Sequence, residues 1–203
     1  PRAEAFAVKD DRFIAVGSSS DILNLASSSA EIIDAEGMTV TPGFIDAHSL
    51  PSSGGVNELV QVNADLRSVV EIKEAIAERA RNTPRGQWVR AFKYDDTKLD
   101  EGRPINRFDL DEAAPENPVV VGHRGGHTGV YNSMALAMAG VTAETPDPDD
   151  GRFYRDDNGV LTGLVAEKAR DVFRDLIPSD SNREERRDGI KLISQLMTAA
   201  GLT

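Results

Sequence analysis

The 203-residue chain has no cysteine, only three histidines, and no apolar run near the roughly 20 residues that a membrane span requires. Without cysteine there can be no disulfide, no thiolate zinc site and no cysteine nucleophile, although this does not choose between the cytoplasm and an exported location. Basic charge is also scarce: 23 Lys and Arg stand against 34 Asp and Glu, a formal net charge of −11. A nucleic-acid surface needs clustered Lys and Arg to displace counterions, so the negative balance argues against that partner. The remainder, 39% hydrophobic and 28% charged, is enough apolar material for one substantial core.

Taken in order, Ala5–Val8 and Phe13–Gly17 flank a polar Asp10-Asp11 turn, which predicts a hairpin. Ser20 is placed to cap a short helix through Leu25. Ile32–Asp34 and Met38–Val40 read as further short strands. Ser52-Ser53-Gly54-Gly55 reads as a loop, either plain or lining a pocket mouth. Ser68-x-x-Glu71 is a capping-box pattern, followed by Val69, Ile72, Ile76 and Ala80 at helical spacing. Gln87 to Phe92 predicts a mostly buried strand, and a short helix follows around Phe108–Ala113. Pro118-Val119-Val120-Val121-Gly122 is a β-branched run of the kind buried on both faces of a parallel sheet. Asn132–Ala139 predicts a helix closed by Gly140. The acidic stretches 145–151 and 156–159 read as solvated turns, their spacing not fitting an EF-hand loop. Leu161–Arg174 begins as a strand and continues as a helix. Ser181-x-x-Glu184 is a second capping-box pattern, before a helix whose Ile190, Ile193, Met197 and Ala200 read as a core stripe.

The stretch Thr41-Pro42-Gly43-Phe44-Ile45-Asp46-Ala47-His48 predicts a turn, a short buried strand, and a histidine where that strand ends. It resembles the first metal-binding strand of the amidohydrolase superfamily, Pro-Gly-Phe-Ile-Asp-x-His-x-His. The match runs from Pro42 to His48 and then fails, because Leu50 stands where the family has its second imidazole. Gly126-His127-Thr128, Asn132-Ser133, Ala135-Leu136 and Gly163-Leu164-Val165-Ala166-Glu167 narrow the resemblance to the amidohydrolase 3 group, the YtcJ-like relatives of N-substituted formamide deformylases. The spacing of Trp88, Tyr94, Pro104, Asp109–Asp111 and Pro118-Val119 is also similar.

The resemblance implies an α/β fold: residues 1–41 as part of a small β-sandwich, and 42–203 as the first part of a (β/α)8 barrel of the metal-dependent hydrolases. A complete barrel takes roughly 250 residues, and the chain starts without Met, so the expectation is a fragment. The implied reaction is hydrolysis of an amide or related C–N bond in a small molecule, by water activated on a divalent metal, zinc in the parent protein. His48 matches a first-strand metal ligand, and Glu167 is the candidate acidic ligand or else a glutamate favoured by a helix N-terminus. His127, and likewise His123, is a candidate to contact the substrate or polarise its carbonyl, or else has a structural role. Two further histidines and an aspartate base would lie beyond Thr203, so this chain alone is expected to lack the full site, with metal absent or single. Leu50 reads as a substitution, a lineage that lost its metal, or a one-metal site. The alternatives to an enzyme are a non-catalytic protein on the same scaffold and one part of a split barrel completed by another chain. A homo-oligomer and a cytoplasmic location complete these expectations.

Overall fold

In the computed structural model, which describes residues 2–178 and 181–203, the chain folds as two compact units, Pro1–Pro42 and Gly43–Thr203. In the first, β1 (Ala5–Lys9) pairs antiparallel with β2 (Arg12–Gly17), as the sequence predicts. Asp10 and Asp11 both take positive φ, 50° and 60°. That is the turn whose twist suits a two-residue hairpin, and Asp tolerates it better than most side chains. Phe6 and Phe13 meet edge to face at 5.1 Å.

Helix α1 (Ser19–Leu23) is capped by Ser18, not Ser20: the Ser18 hydroxyl accepts from the Asp21 N–H at 3.2 Å. The expected strands at Ile32–Asp34 and Met38–Val40 do not form. The turn between them is present, with Met38 N–H on Ala35 C=O at 2.7 Å, but Ile33 and Met38 lie exposed and neither segment joins a ladder. A strand needs paired neighbours to be stable.

The second unit begins with a correction. Phe44 forms one isolated parallel bridge to Leu202, and both Phe44 and Ile45 are exposed, so the predicted buried strand is absent. A strand buried on both faces needs neighbours on both edges. Among the described residues only Gly201–Thr203 pairs with it. The Ser52–Gly55 loop is likewise not a loop. Those residues form the first turns of α2 (Pro51–Val60), where Pro51 takes the N-terminal position that needs no N–H donor.

Strand β3 (Val62–Asn63), helix α3 (Val69–Arg81), strand β4 (Val89–Tyr94), helix α4 (Arg107–Ala113) and strand β5 (Val119–His123) form two successive parallel crossovers. Ser68 and Glu71 make the predicted capping box, and Val69, Ile72 and Ile76 are the buried face of α3. Asn106 and Asp109 cap α4 in the same way, and Arg103 grips Asp109 through two bonds at 2.7 and 2.8 Å.

Strand β6 (Thr128–Tyr131) then returns antiparallel to β5. Helix α5 (Ser133–Met138), strand β7 (Gly151–Arg155) and strand β8 (Leu161–Glu167) complete a six-stranded sheet of order β3-β4-β5-β6-β8-β7. Neither β6 nor β7 is legible as a strand in the sequence. The expected helix after β8 is 3-10 over Lys168–Phe173.

The final helix, α6 (Arg183–Ala199), starts one residue later than the Ser181 pattern predicts. Asn182 and Glu185 form its capping box. Its Ile stripe is not core, since Ile190 and Leu196 are exposed and Gly189 is its buried residue.

Alternation along β5 divides the apolar interior. Val119 and Val121 face α3 and α4, joining Ile72, Ile76 and Leu110. Val120 faces the other way, joining Tyr131, Leu136, Phe153, Val165 and Phe173.

Candidate functional site

Open sheets with parallel strands place ligands beyond the carboxyl ends of those strands. Here β4 and β5 end side by side, with Tyr94 opposite His123. The register of β4 shifts between Ala91 and Tyr94, and Lys93 within that shift takes φ 63°, a strained value for a side-chain-bearing residue. Its ammonium pairs with Glu58.

Immediately beyond β4, Asp95 is buried and caps a 3-10 turn. One of its oxygens accepts from Thr97 N–H at 3.1 Å and from the Thr97 hydroxyl at 2.7 Å, while the other lies 3.0 Å from Arg124. The Thr97 hydroxyl bond, followed by the Thr97 N–H and the Arg124 charge, holds its carboxyl below the usual range against the opposing effect of burial. Beside it, the His123 ring stands edge-on to Tyr94 at 6.0 Å. The Tyr94 hydroxyl accepts from the buried Ile105 N–H at 3.0 Å, and burial pushes that phenol up to about 12.

Asp95, Asp96 and His123 form a group of three potential ligands, their donor atoms within 4.8 Å of one another. Two carboxylates and an imidazole are a donor set that divalent ions accept, but the hydrogen bonds here do not fit one. His123 Nδ1 accepts the Gly125 N–H at 3.0 Å, so the neutral ring carries its proton on Nε2, the atom 3.3 Å from Asp96. A metal would need the lone pair at Nε2, which this tautomer does not offer.

A second pair forms where β6 and β8 meet. His127 precedes the Thr128–Ala166 pair, and its carbonyl accepts the Glu167 N–H at 2.9 Å. The His127 Nδ1 lies 3.0 Å from one Glu167 carboxylate oxygen and 3.3 Å from the other. Glu167 reaches it from a backbone at φ 51°, and Arg170 donates to the Gly126 carbonyl on the adjoining turn.

His48 belongs to neither cluster. It is exposed, its N–H donates to Asp46 at 2.9 Å, and its ring has no hydrogen-bond partner among the described residues. Leu50 is the N-terminal cap residue of α2 and is exposed. Of the four residues the sequence singles out, the structure thus joins His127 to Glu167 and leaves His123 and His48 in separate surroundings. Asp95, Asp96, Lys93 and Arg124 are not singled out by the sequence patterns. The Asp95-Asp96 pair directly after a buried strand was the available signal, whereas nothing in the sequence marks the strain at Lys93.

The Asn132-Ser133 signature has a structural explanation. Asn132 is buried, accepts from Val119 N–H at 2.9 Å and Ala135 N–H at 3.0 Å, and donates to Asn117 C=O at 2.9 Å. Ser133 binds Asp111 through its N–H and hydroxyl at 2.8 and 2.6 Å. The acidic turns close on themselves in the same way: Asp147 accepts from Phe153 N–H, and Asp156 from Asn158 and Val160.

The sequence model of the amidohydrolase family, amidohydrolase 3 type, matches residues 31–203. The N-substituted formamide deformylase of Arthrobacter pascens is 34% identical over 99% of this chain. The putative amidohydrolase YtcJ of Bacillus subtilis (strain 168) is 32% identical over 87%. The chain spans 38% and 34% of those relatives' lengths. Among solved structures, an uncharacterized metal-dependent hydrolase from Pyrococcus furiosus is similar over 96% of this chain and 38% of its own, with 26% identity and a TM-score of 0.49.

Proposed function

This chain belongs to the amidohydrolase family, and from that premise we propose that it works as part of a metal-dependent hydrolase of amide or related C–N bonds in small molecules. The observation that carries the reading is the His127–Glu167 pair. A carboxylate has no hydrogen to give, so in the neutral ring Nδ1 of His127 carries the proton, and Nε2 is left with an open lone pair on a side chain that is 72% exposed. That atom can accept a hydrogen bond or a proton from a substrate amide or a water. His123, held in the opposite tautomer by Gly125, has its Nε2–H facing Asp96 at 3.3 Å, so a carbonyl oxygen would have to displace that carboxylate to reach it.

A divalent ion, zinc in the finer version of this reading, would lower the pKa of a bound water. His48 is its proposed ligand by its place in the motif. The described residues do not assemble a site for that ion around His48 or Glu167, so no step is assigned to it. The same proposal covers the barrel and sandwich architecture of the whole protein, its division near residue 42, and a cytoplasmic location. Among the described residues no helix is long and apolar enough to cross a membrane.

The test is turnover of N-substituted formamides and simple amides by the full-length protein, before and after chelation and zinc return. Metal-dependent hydrolysis that falls in His127→Asn is the expected result. Leu50, at the position of the second imidazole, favours a second reading as a non-catalytic member. Absence of turnover by metal-loaded protein across both substrate classes would select it.

A further inference from the structure

We infer that Glu167 is the positioning residue of His127, fixing the tautomer and direction of its ring. This rests on the reading of His127 as a site residue but concerns a different property of it. Three features of the chain converge on this pair. The Glu167 N–H donates to the His127 carbonyl, so main chain and side chain bind the same residue. Glu167 adopts φ 51° and Gly126 φ 79°, backbone states that the flanking β6–β8 ladder must hold in place. Arg170 ties the Gly126 carbonyl, closing the turn that carries His127.

The geometry sorts the two neighbouring histidines into complementary forms. Backbone N–H donation from Gly125 makes His123 an acceptor at Nδ1 and a donor at Nε2. Carboxylate acceptance by Glu167 makes His127 a donor at Nδ1 and an acceptor at Nε2. A neutral imidazole has one donor and one acceptor nitrogen, and the bond at one nitrogen decides the other. Four residues apart in sequence, the rings are therefore held in opposite tautomers, with the His123 Nε2–H facing Asp96 at 3.3 Å and the His127 Nε2 without a partner among the described residues. In this arrangement both Glu167 oxygens face His127, which is the geometry of an orienting carboxylate.

The test uses the full-length protein carrying nitrogen-15 histidine, with the His127 signal identified by its loss in His127→Gln. Long-range proton–nitrogen spectra report the tautomer, and elemental analysis reports metal per protein. The native protein is expected to show His127 in the Nδ1–H form. Glu167→Ala should move most of that population to the Nε2–H form, and Glu167→Gln, which keeps a neutral acceptor, should restore much of it. Metal per protein should stay unchanged in both. A tautomer that does not respond to Glu167→Ala, or metal content that falls with either substitution, would overturn the inference. Full turnover by His127→Gln would instead overturn the functional reading while leaving this one intact.

Discussion

Gly55 of α2 and Gly189 of α6 meet backbone to backbone: a Cβ added to Gly55 would lie 2.1 Å from the Gly189 carbonyl oxygen. One added at Gly189 would lie 2.8 Å from the carbonyl carbon of Gly55. The atoms in the way are main chain and cannot rotate aside, so the helices must separate to admit a methyl group. Gly55→Ala should therefore destabilise the protein by about 1–3 kcal/mol, as overpacked interiors do. Urea unfolding checks it; Gly54→Ala is the control, because its nearest neighbour stands at 3.9 Å.

The buried amide of Asn132 joins the start of β5 to the start of α5, and its removal strands two N–H donors at once. Asn132→Ala is expected to cost about 2–4 kcal/mol, combining a lost cap with an unsatisfied Val119 N–H. Asn132→Asp keeps the acceptor oxygen but sets a carboxylate oxygen against the Asn117 carbonyl in a buried site, so its loss in thermal unfolding should shrink as pH falls and a protonated carboxyl can donate there. A loss for Asp that does not vary with pH would contradict this account.

Tyr94 predicts an alkaline limit. Burial, reinforced by the nearby Asp96 and Asp109 charges and opposed by the Ile105 N–H, pushes its phenol up from 10.0 to about 12. The unfolded chain releases this proton first, so the stability that Tyr94 contributes is full below pH 10 and is lost as pH rises toward 12. Tyr94→Phe should remove that alkaline slope and leave the Ile105 N–H without its acceptor, costing about 1–3 kcal/mol at neutral pH. Unfolding midpoints measured across pH 8 to 11 (a range chosen about the ordinary tyrosine pKa) decide the matter. An unchanged slope in the variant would refute it.

Asp95 predicts the opposite limit. Its folded carboxyl is held below the ordinary 3.8, first by the Thr97 hydroxyl. A depressed folded pKa gives stability that is present above the unfolded value and disappears as pH falls through the folded one. Thr97→Val should therefore shift the acid-unfolding midpoint toward neutral pH, and acid titration followed by circular dichroism reads that shift. A midpoint that stays in place would remove Asp95 from the acid response.

Local patterns carried much of this molecule. Ser68-x-x-Glu71 and the Val69, Ile72, Ile76 spacing became α3 with that buried face, and the run of valines became β5. Misreadings cluster where neighbours decide. Phe44-Ile45 looks buried because it is apolar, yet burial belongs to the strands beside it. Gly54-Gly55 looks like a loop, yet Gly55 is the close-approach point of a helix. Strand β6 is not legible because Thr128-Gly129-Val130-Tyr131 is short and interrupted by glycine. The same divide holds at the site. His127 and Glu167 were legible as chemical residue types, but their pairing depends on the β6–β8 register, which no local pattern encodes.

Leu50 is where restoration of the family motif can be tested without disturbing the fold. It caps α2 without a side-chain bond and is 69% exposed. Replacing it should therefore cost no more than the roughly 0.5 kcal/mol typical of surface changes. Histidine there would add a second imidazole two residues from His48, and would give a divalent ion, if His48 holds one, a second nitrogen ligand. Leu50→His is thus expected to leave the unfolding midpoint near native while raising zinc retention after dialysis in the full-length protein. Leu50→Gln, similar in exposure but without an imidazole, should match native in both respects. Zinc retention that is equal in all three proteins would show that an imidazole at position 50 adds nothing to metal binding.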